Sequence, residues 1–369
     1  MELFKCNSPL GQSYLTDGEA INGQTSTMWV ERYQDPGEFK IEAPLSSGLR
    51  SFLPLGAVIS HVDTLDAMIV EDHQIADTVD SDPTIFITGR SFESFLDHRM
   101  VGANQDWLTH EGLTLEYEMA EDETAGQAVT LINDHIKTGV VINPDDELEN
   151  VVAVSDVSRP LTSEPRSLKK GSVLERLIEI LAIDDLGIRT VRRNSFGVSG
   201  FSTTTALIVV QGLDLSNQIV FSWNAGDIDS AEYLWSDKKS KNAALVVGRY
   251  CEVAVLHSQI GFARRWMYVD ASDLDSHLPE APVDPALATI LNKMRIRGRQ
   301  TLRRQNEINI TSTDISSNTQ YRYRKDYNVG DIVSVEGNYG VIEPRRVTEY
   351  VEIEDENGAS GHPTLAVLS

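Results

Sequence analysis

The run Tyr321–Ile353, YRYRKDYNVGDIVSVEGNYGVIEPRRVTEYVEI, decides how the chain is read. Tyr321 and Tyr323 alternate with Arg322 and Arg324, and Asn328-Val329-Gly330-Asp331 turns the chain into Ile332-Val333-Ser334-Val335. A second break falls at Glu336-Gly337-Asn338. After Pro344, Val347, Val351 and Ile353 take one face and Thr348 and Tyr350 the other. Side chains change face at every residue of a strand, so alternation between Gly/Asn/Asp breaks predicts three or four antiparallel strands of a small barrel or meander.

Working outward, Met28–Tyr33 and Glu38–Ala43 flank an Asp35-Pro36-Gly37 turn and predict a hairpin, with proline presetting φ and glycine supplying a positive φ. Strands are expected again at Leu55–Ile59, Met68–Asp72 and Thr84–Arg90. Phe92, Phe95, Leu96 and Met100 then stand at helical spacing behind Ser91, a suitable N-cap. Met1–Thr27, polar and rich in Gly, Ser and Thr, reads as an arm or loop.

Both ends resemble one family. The Tyr-rich segment, D-Y-x-x-G-D-x-V at Asp326–Val333 and R-V-T-E at Arg346–Glu349 resemble the closing barrel of tail hub proteins of long, non-contractile-tailed phages. W-x-x-R-x-x-x-x-G-x-F at Trp29–Phe39 and G-R-S-F-x-x-x-L-x-x-R at Gly89–Arg99 resemble the same family's opening. Gly212–Ser216, Val220–Ser222 and Lys241–Gly248 resemble its central part. The G-D-x-V pattern alone is common in unrelated β-barrels.

The middle differs. Glu111–Asp156 carries twelve acidic residues and one basic residue, Lys137. Thr124–Lys137 reads as an amphipathic helix on Ala128, Leu131, Ile132 and Ile136. Its acidic flanks lack the spacing of a Ca²⁺ loop and read as a solvated face. After a Pro/Ser-rich connector at 158–170, Ser172–Glu175 makes a capping box for a helix on Leu174, Leu177, Ile178 and Leu181 that ends near Gly187. Strands are expected at Ile188–Arg192, Thr205–Gln211, Tyr233–Ser236, Ala243–Gly248, Cys251–Leu256 and Trp266–Val269.

Asp284-Pro285 opens the longest helix, Asp as N-cap and Pro at the first turn. Six cations follow, Lys293, Arg295, Arg297, Arg299, Arg303 and Arg304, with no acid among them. They read either as solvated arginines complementing the helix dipole or as a docking stripe for an acidic surface. No aromatic side chains are interleaved for base stacking.

A length of 369 residues suits two or three domains, and 41% hydrophobic and 24% charged residues suit a soluble globular protein. No apolar run reaches the roughly 20 residues of a spanning helix, so stable membrane insertion is not expected, and the N-terminus does not read as a secretory signal. Cys6 and Cys251 lack metal or redox spacing and read as thiols in a reducing compartment. The net charge of −24, from 56 acidic and 32 basic residues, opposes nucleic-acid clamping. It serves solubility, or lets DNA pass without sticking. There is no G-x-S-x-G, H-E-x-x-H or P-loop, and none of the eight His has another three or four residues away, so no catalytic, cofactor or metal residues are expected. The five Trp are dispersed and read mostly as core residues.

The expected fold class is therefore α+β, mainly β: two tail-tube-like β-barrel domains with inserted helical and mixed α/β segments. The expected division is 1–102 for the arm and first barrel, 103–215 for the insertion, and 216–369 for the second barrel, interrupted by a helical insertion at about 275–312. The resemblance implies a non-enzymatic baseplate hub at the virion tail tip, assembled in the host cytoplasm as a homotrimer whose six barrels match a six-fold tube. Its implied partners are the distal tail protein, the tape-measure protein and other tail-tip or fibre proteins, with DNA in transit through the channel. A tail-associated cell-wall hydrolase and a receptor- or carbohydrate-binding module are the rival classes. The first lacks a catalytic motif, and against the second the five Trp are dispersed and mostly in strand patterns.

Overall fold

A computed structural model of the protein describes residues 1–7, 16–64, 66–78, 81–101, 117–136, 148, 151–158, 162–163, 166–197, 200–236, 240–256, 261–272, 274, 284–303, 308–337, 340 and 342–368. The architecture is α+β, mainly β, in several sheets. The chain divides into two compact units: Met1–Asp229 with Asp314–Ala366, and Ser230–Thr313 with Val367–Ser369.

Among the described residues the main sheet has eleven strands: β1 (Leu3–Asn7), β2 (Thr16–Ala20), β3 (Ser26–Arg32), β4 (Glu38–Pro44), β5 (Val58–His61), β6 (Ala67–Thr78), β7 (Ser81–Ser91), β8 (Val220–Ser222), β9 (Ile332–Glu336), β10 (Ile342–Asp355) and β11 (Gly358–Val367). Their order is β8-β9-β10-β3-β4-β7-β6-β5-β1-β2, with β11 also on β10. The hairpin at Asp35-Pro36-Gly37 sets Trp29 opposite Phe39, and β3 bonds on its other edge to β10, Val30 opposite Val351. Strands from both ends of the sequence thus share one sheet, and residues 103–215 contribute none of its described strands. Period-two alternation buries Phe39, Ile41 and Ala43 of β4 with Trp29, Ile85 and Ile87 in one core.

A second core of the same unit joins the helices Thr124–Asp134 and Val173–Leu181 to a three-stranded sheet. In that sheet Gly200–Val210 runs parallel to Val151–Asp156 and antiparallel to Gly187–Gly197. Ser172 caps the second helix, its Oγ accepting from the Glu175 amide at 3.4 Å.

In the second unit, Glu252–Leu256 and Trp266–Asp270 flank Ala243–Val247, and the helix Asp284–Arg303 packs on one face of this sheet. This helix begins at Asp284, where the sequence placed its start. Gly298 explains the closeness: a Cβ there would stand 2.7 Å from methyls of Val246 and Val255, so only glycine lets the helix backbone approach this far.

Several local expectations change. The supposed N-terminal arm supplies β1 and β2, because Leu3 and Cys6 are buried and β1 bonds to β5, Leu3 opposite His61. The segment after Ser91 is a 3₁₀ helix, Phe92–His98, and Ser91 makes no cap; its hydroxyl donates to the Glu93 carboxylate at 2.5 Å. The Val173–Leu181 helix stops well before Gly187, which already begins a strand. Gly37 does not use a positive φ; a Cβ there would lie 2.2 Å from the Val30 carbonyl oxygen, so it serves close approach. Trp29 is buried as expected, whereas Trp266 is 48% exposed.

Candidate functional site

The Tyr-Arg-Tyr-Arg run is not a strand. It folds as a tight turn, Tyr323 bridging to Tyr327, with Arg324 at φ +64°. A left-handed arginine costs roughly 1–2 kcal/mol, and its partners account for it. Arg324 Nη2 lies 2.7 Å from Glu31 Oε1 on β3, and Nη1 lies 3.0 Å from Glu352 Oε2 on β10. The Tyr323 hydroxyl donates to the same Glu31 carboxylate. Its ring stacks on Tyr350 at 3.8 Å and 12°, while Tyr321 and Tyr327 meet Phe221 edge-on at 5.6 and 5.7 Å. One guanidinium thus links the turn to two strands 321 residues apart in sequence, Glu31 and Glu352.

The network continues inward. His61, wholly buried, sits 5.7 Å from the Trp29 ring, with Nε2 3.9 Å from Glu352 Oε1. Burial, with the Arg324 charge next, pushes its pKa down to about 4, so the ring is neutral at pH 7. Glu31 and Tyr323 of this network also line a cavity of about 60 Å³, together with Asp66, Glu93, Thr190 and Asn328, among others. Glu93 is buried and accepts from Ser91 and Thr190 hydroxyls at 2.5 and 2.6 Å. Burial raises its pKa, and burial together with the Glu31 and Glu93 charges raises half-buried Asp66 to about 8. The cavity has room for a few waters and none for a substrate of several hundred Å³. Among the described residues no group of three or more His, Cys, Asp or Glu is placed to hold a metal. The arrangement fastens strands together.

Tyr33 is a second fastener. Its buried ring lies where a Cβ on Gly187 or Gly330 would come within 2.4 Å, and its hydroxyl bonds the Asp185 carbonyl at 3.0 Å and accepts from the Gly212 amide at 3.2 Å. Gly330 sits at φ +99°, so glycine there serves both conformation and room. Asp185, also left-handed, takes an ion pair from Arg346 at 2.5 Å.

The sequence-derived basic stripe lies in the second unit. Met294, Gly298 and Leu302 face the sheet, which turns Arg295 and Arg299 to solvent. Lys293 is half-buried, and Arg297 reaches the Asp270 carbonyl at 3.4 Å. The Arg303 side chain and Arg304 lie outside the described residues. Sequence reasoning missed Glu31, Arg324, Glu352 and Tyr33; carboxylates and a guanidinium within apolar alternation were the available signal. Neither Cys6 nor Cys251 is in a disulfide, and the Cys251 thiol lies 3.4 Å from the Met294 sulfur. No described helix is long and apolar enough to cross a membrane.

With this geometry in hand, comparison with solved structures places the fold among phage tail proteins. The tail protein from Neisseria meningitidis MC58 superposes with a TM-score of 0.57 at 11% identity, covering 94% of this chain and 93% of that one. The 43 kDa tail protein of prophage MuSo2 from Shewanella oneidensis gives 0.56 at 13%, over 99% and 97%. Prophage tail protein gp18 from Listeria monocytogenes EGD-e gives 0.54 at 10%, over 99% and 93%. Residues 12–365 match the family described as Siphovirus ReqiPepy6 Gp37-like protein, and the chain belongs to that family. No curated protein sequence matches it.

Proposed function

We propose that the protein is a structural component of a phage tail tip: a baseplate hub whose three copies form a ring between the tail tube, with its distal tail protein, and the tip. The observation that carries this reading is a tail-protein fold along nearly the whole chain, in a member of a siphovirus family. In this reading 1–102 and 216–369 supply the tube-like modules and 103–215 the insertion. The main sheet supports only the status of 103–215 as an insertion, since its described strands all come from outside that segment. The ring closes or lines the channel that holds the tape-measure protein and passes DNA. A net charge of −24 suits a wall to which DNA does not stick. Lys293, Arg295, Arg297, Arg299, Arg303 and Arg304 meet an acidic neighbour in the tip, and no residue reacts.

The test is the mass of the purified chain with electron microscopy of the assembled species, and labelling of intact virions with an antibody to the chain. A three-fold ring and label at the tail tip are expected. A chain that stays monomeric at about 50 µM and is absent from purified tails refutes the reading.

A further inference from the structure

The tyrosine turn, β10 and β11 together wall a pocket of about 380 Å³ that the fastening network does not fill. All of its lining belongs to the first unit: Tyr321, Tyr323, Tyr327 and Tyr350 supply rings, and Arg322, Arg324 and Glu352 supply charges. Small-molecule sites occupy about 300–1,000 Å³, so this volume suits a ligand where the 60 Å³ cavity does not.

Several of its polar groups are already engaged. The Tyr321 hydroxyl accepts from the Val220 amide at 3.3 Å, the Tyr323 hydroxyl donates to Glu31, and Arg324 pairs with Glu352 at 3.0 Å. Others are not. Among the described residues the Tyr327 and Tyr350 hydroxyls have no hydrogen-bond partner, and the exposed Arg322 guanidinium has no carboxylate. The Asp326 carboxylate accepts from the Arg322 amide at 2.7 Å instead. Tyr327 is 2% exposed, and burial, with Tyr350 next, raises its pKa, so the hydroxyl keeps its proton. A buried hydroxyl without a partner costs stability, and folding alone gains nothing from it. Gly361 leaves the second phenol room, since a Cβ there would stand 2.4 Å from the Tyr350 hydroxyl oxygen.

Phenols that donate and accept beside apolar ring carbon suit the hydroxyls and C–H faces of a sugar. An unpaired guanidinium suits a carboxylate, which it grips through two parallel bonds. Charge narrows the ligand further. One unpaired cation in the pocket of a chain with net charge −24 admits a single negative charge and leaves polyanions repelled. We propose that this pocket binds a saccharide bearing one carboxylate, Arg322 taking the carboxylate and Tyr327 and Tyr350 the sugar hydroxyls. The site adds a ligand to the chain and does not depend on the hub reading.

The test is NMR titration of the full-length protein with methyl glucuronide and with methyl glucoside, which differ only in a carboxylate against a hydroxymethyl group. Wild type is expected to bind the glucuronide with a Kd on the order of 1 mM, what so small a ligand sustains, and the glucoside about tenfold more weakly. Arg322→Gln is expected to erase that difference. Tyr327→Phe with Tyr350→Phe is expected to weaken glucuronide binding about tenfold while the melting temperature holds or rises, because unsatisfied hydroxyls are removed. A double variant that melts lower, as a structural role for the hydroxyls requires, overturns the proposal. So does equal binding of the two sugars, or no glucuronide binding up to about 20 mM. None of these outcomes touches the hub reading, which is decided by the assembled species.

Discussion

Arg324 offers a sharp test of how the main sheet is fastened to the turn before β9. Its guanidinium is 19% exposed and spans Glu31 at 2.7 Å and Glu352 at 3.0 Å, themselves 16% and 22% exposed. Removing one partner of a fully buried pair costs roughly 3–5 kcal/mol, because a charge is left without compensation. Partial exposure scales that down, so Arg324→Ala is expected to cost about 2–3 kcal/mol. Alanine at φ +64° pays the same left-handed penalty as arginine. Glycine escapes about 1–2 kcal/mol of it, but brings about 0.5–1 kcal/mol of extra unfolded-state entropy. Arg324→Gly should accordingly be less harmful than Arg324→Ala by roughly 0.5–1 kcal/mol, although both remove the same ion pairs. Urea unfolding of the two variants beside wild type, followed by tyrosine and tryptophan fluorescence, measures both differences. An alanine variant within about 0.5 kcal/mol of wild type, or a glycine variant less stable than alanine, would refute this account.

Half-buried Asp66 and buried His61 make stability depend on pH in opposite directions. Asp66 binds its proton up to about pH 8 in the folded chain but only up to about 4 when unfolded, so its contribution is present at low pH and is lost as pH rises towards 8. Asp66→Asn should therefore raise the melting temperature at pH 8.5–9, roughly, and change it less near pH 6. His61 acts oppositely, since its folded pKa of about 4 lies below the unfolded value near 6.5 and stability falls as pH drops across that interval. Hydrogen exchange of β5 and β10 amides should show this loosening in wild type and not in His61→Gln. Gly330→Ala, which drives a Cβ to 2.4 Å from the Tyr33 ring at φ +99°, should cost more than about 3 kcal/mol, against about 1–2 for Tyr33→Phe, in chemical denaturation. Arg295→Glu with Arg299→Glu, both exposed, should leave the melting temperature within a degree or two and weaken incorporation into tails, read by counting labelled virions.

Much of the fold was legible where local pattern decides it. The hairpin around Asp35-Pro36-Gly37, the strand at Ile332, the Ser172 cap and the long helix from Asp284 all follow from period, turn and cap chemistry. What alternation cannot supply is the partner of each edge. Nothing in Met28–Arg32 or in Glu349–Ile353 says that they bond to each other, because cross-strand pairing is a tertiary choice. The Tyr321–Arg324 alternation misled for a related reason: a strand and a turn held by a long-range ion pair can share the same residues, and Glu31 and Glu352 are too distant in sequence to be seen as its cause. The basic stripe was visible as composition, but its outward face depends on Gly298 pressing the helix against Val246 and Val255.

The union of β3 with β10 also sets a timetable for synthesis. Arg32 pairs with Glu349, 317 residues later, and ribosomes add roughly 5–20 residues per second. For about 15–60 s the nascent β3 edge stands open while everything between is translated. Until its late-made partner emerges, that ladder can recruit another chain instead, so yield from cells should respond to expression rate and to holdase chaperones more steeply than the finished protein's stability would suggest.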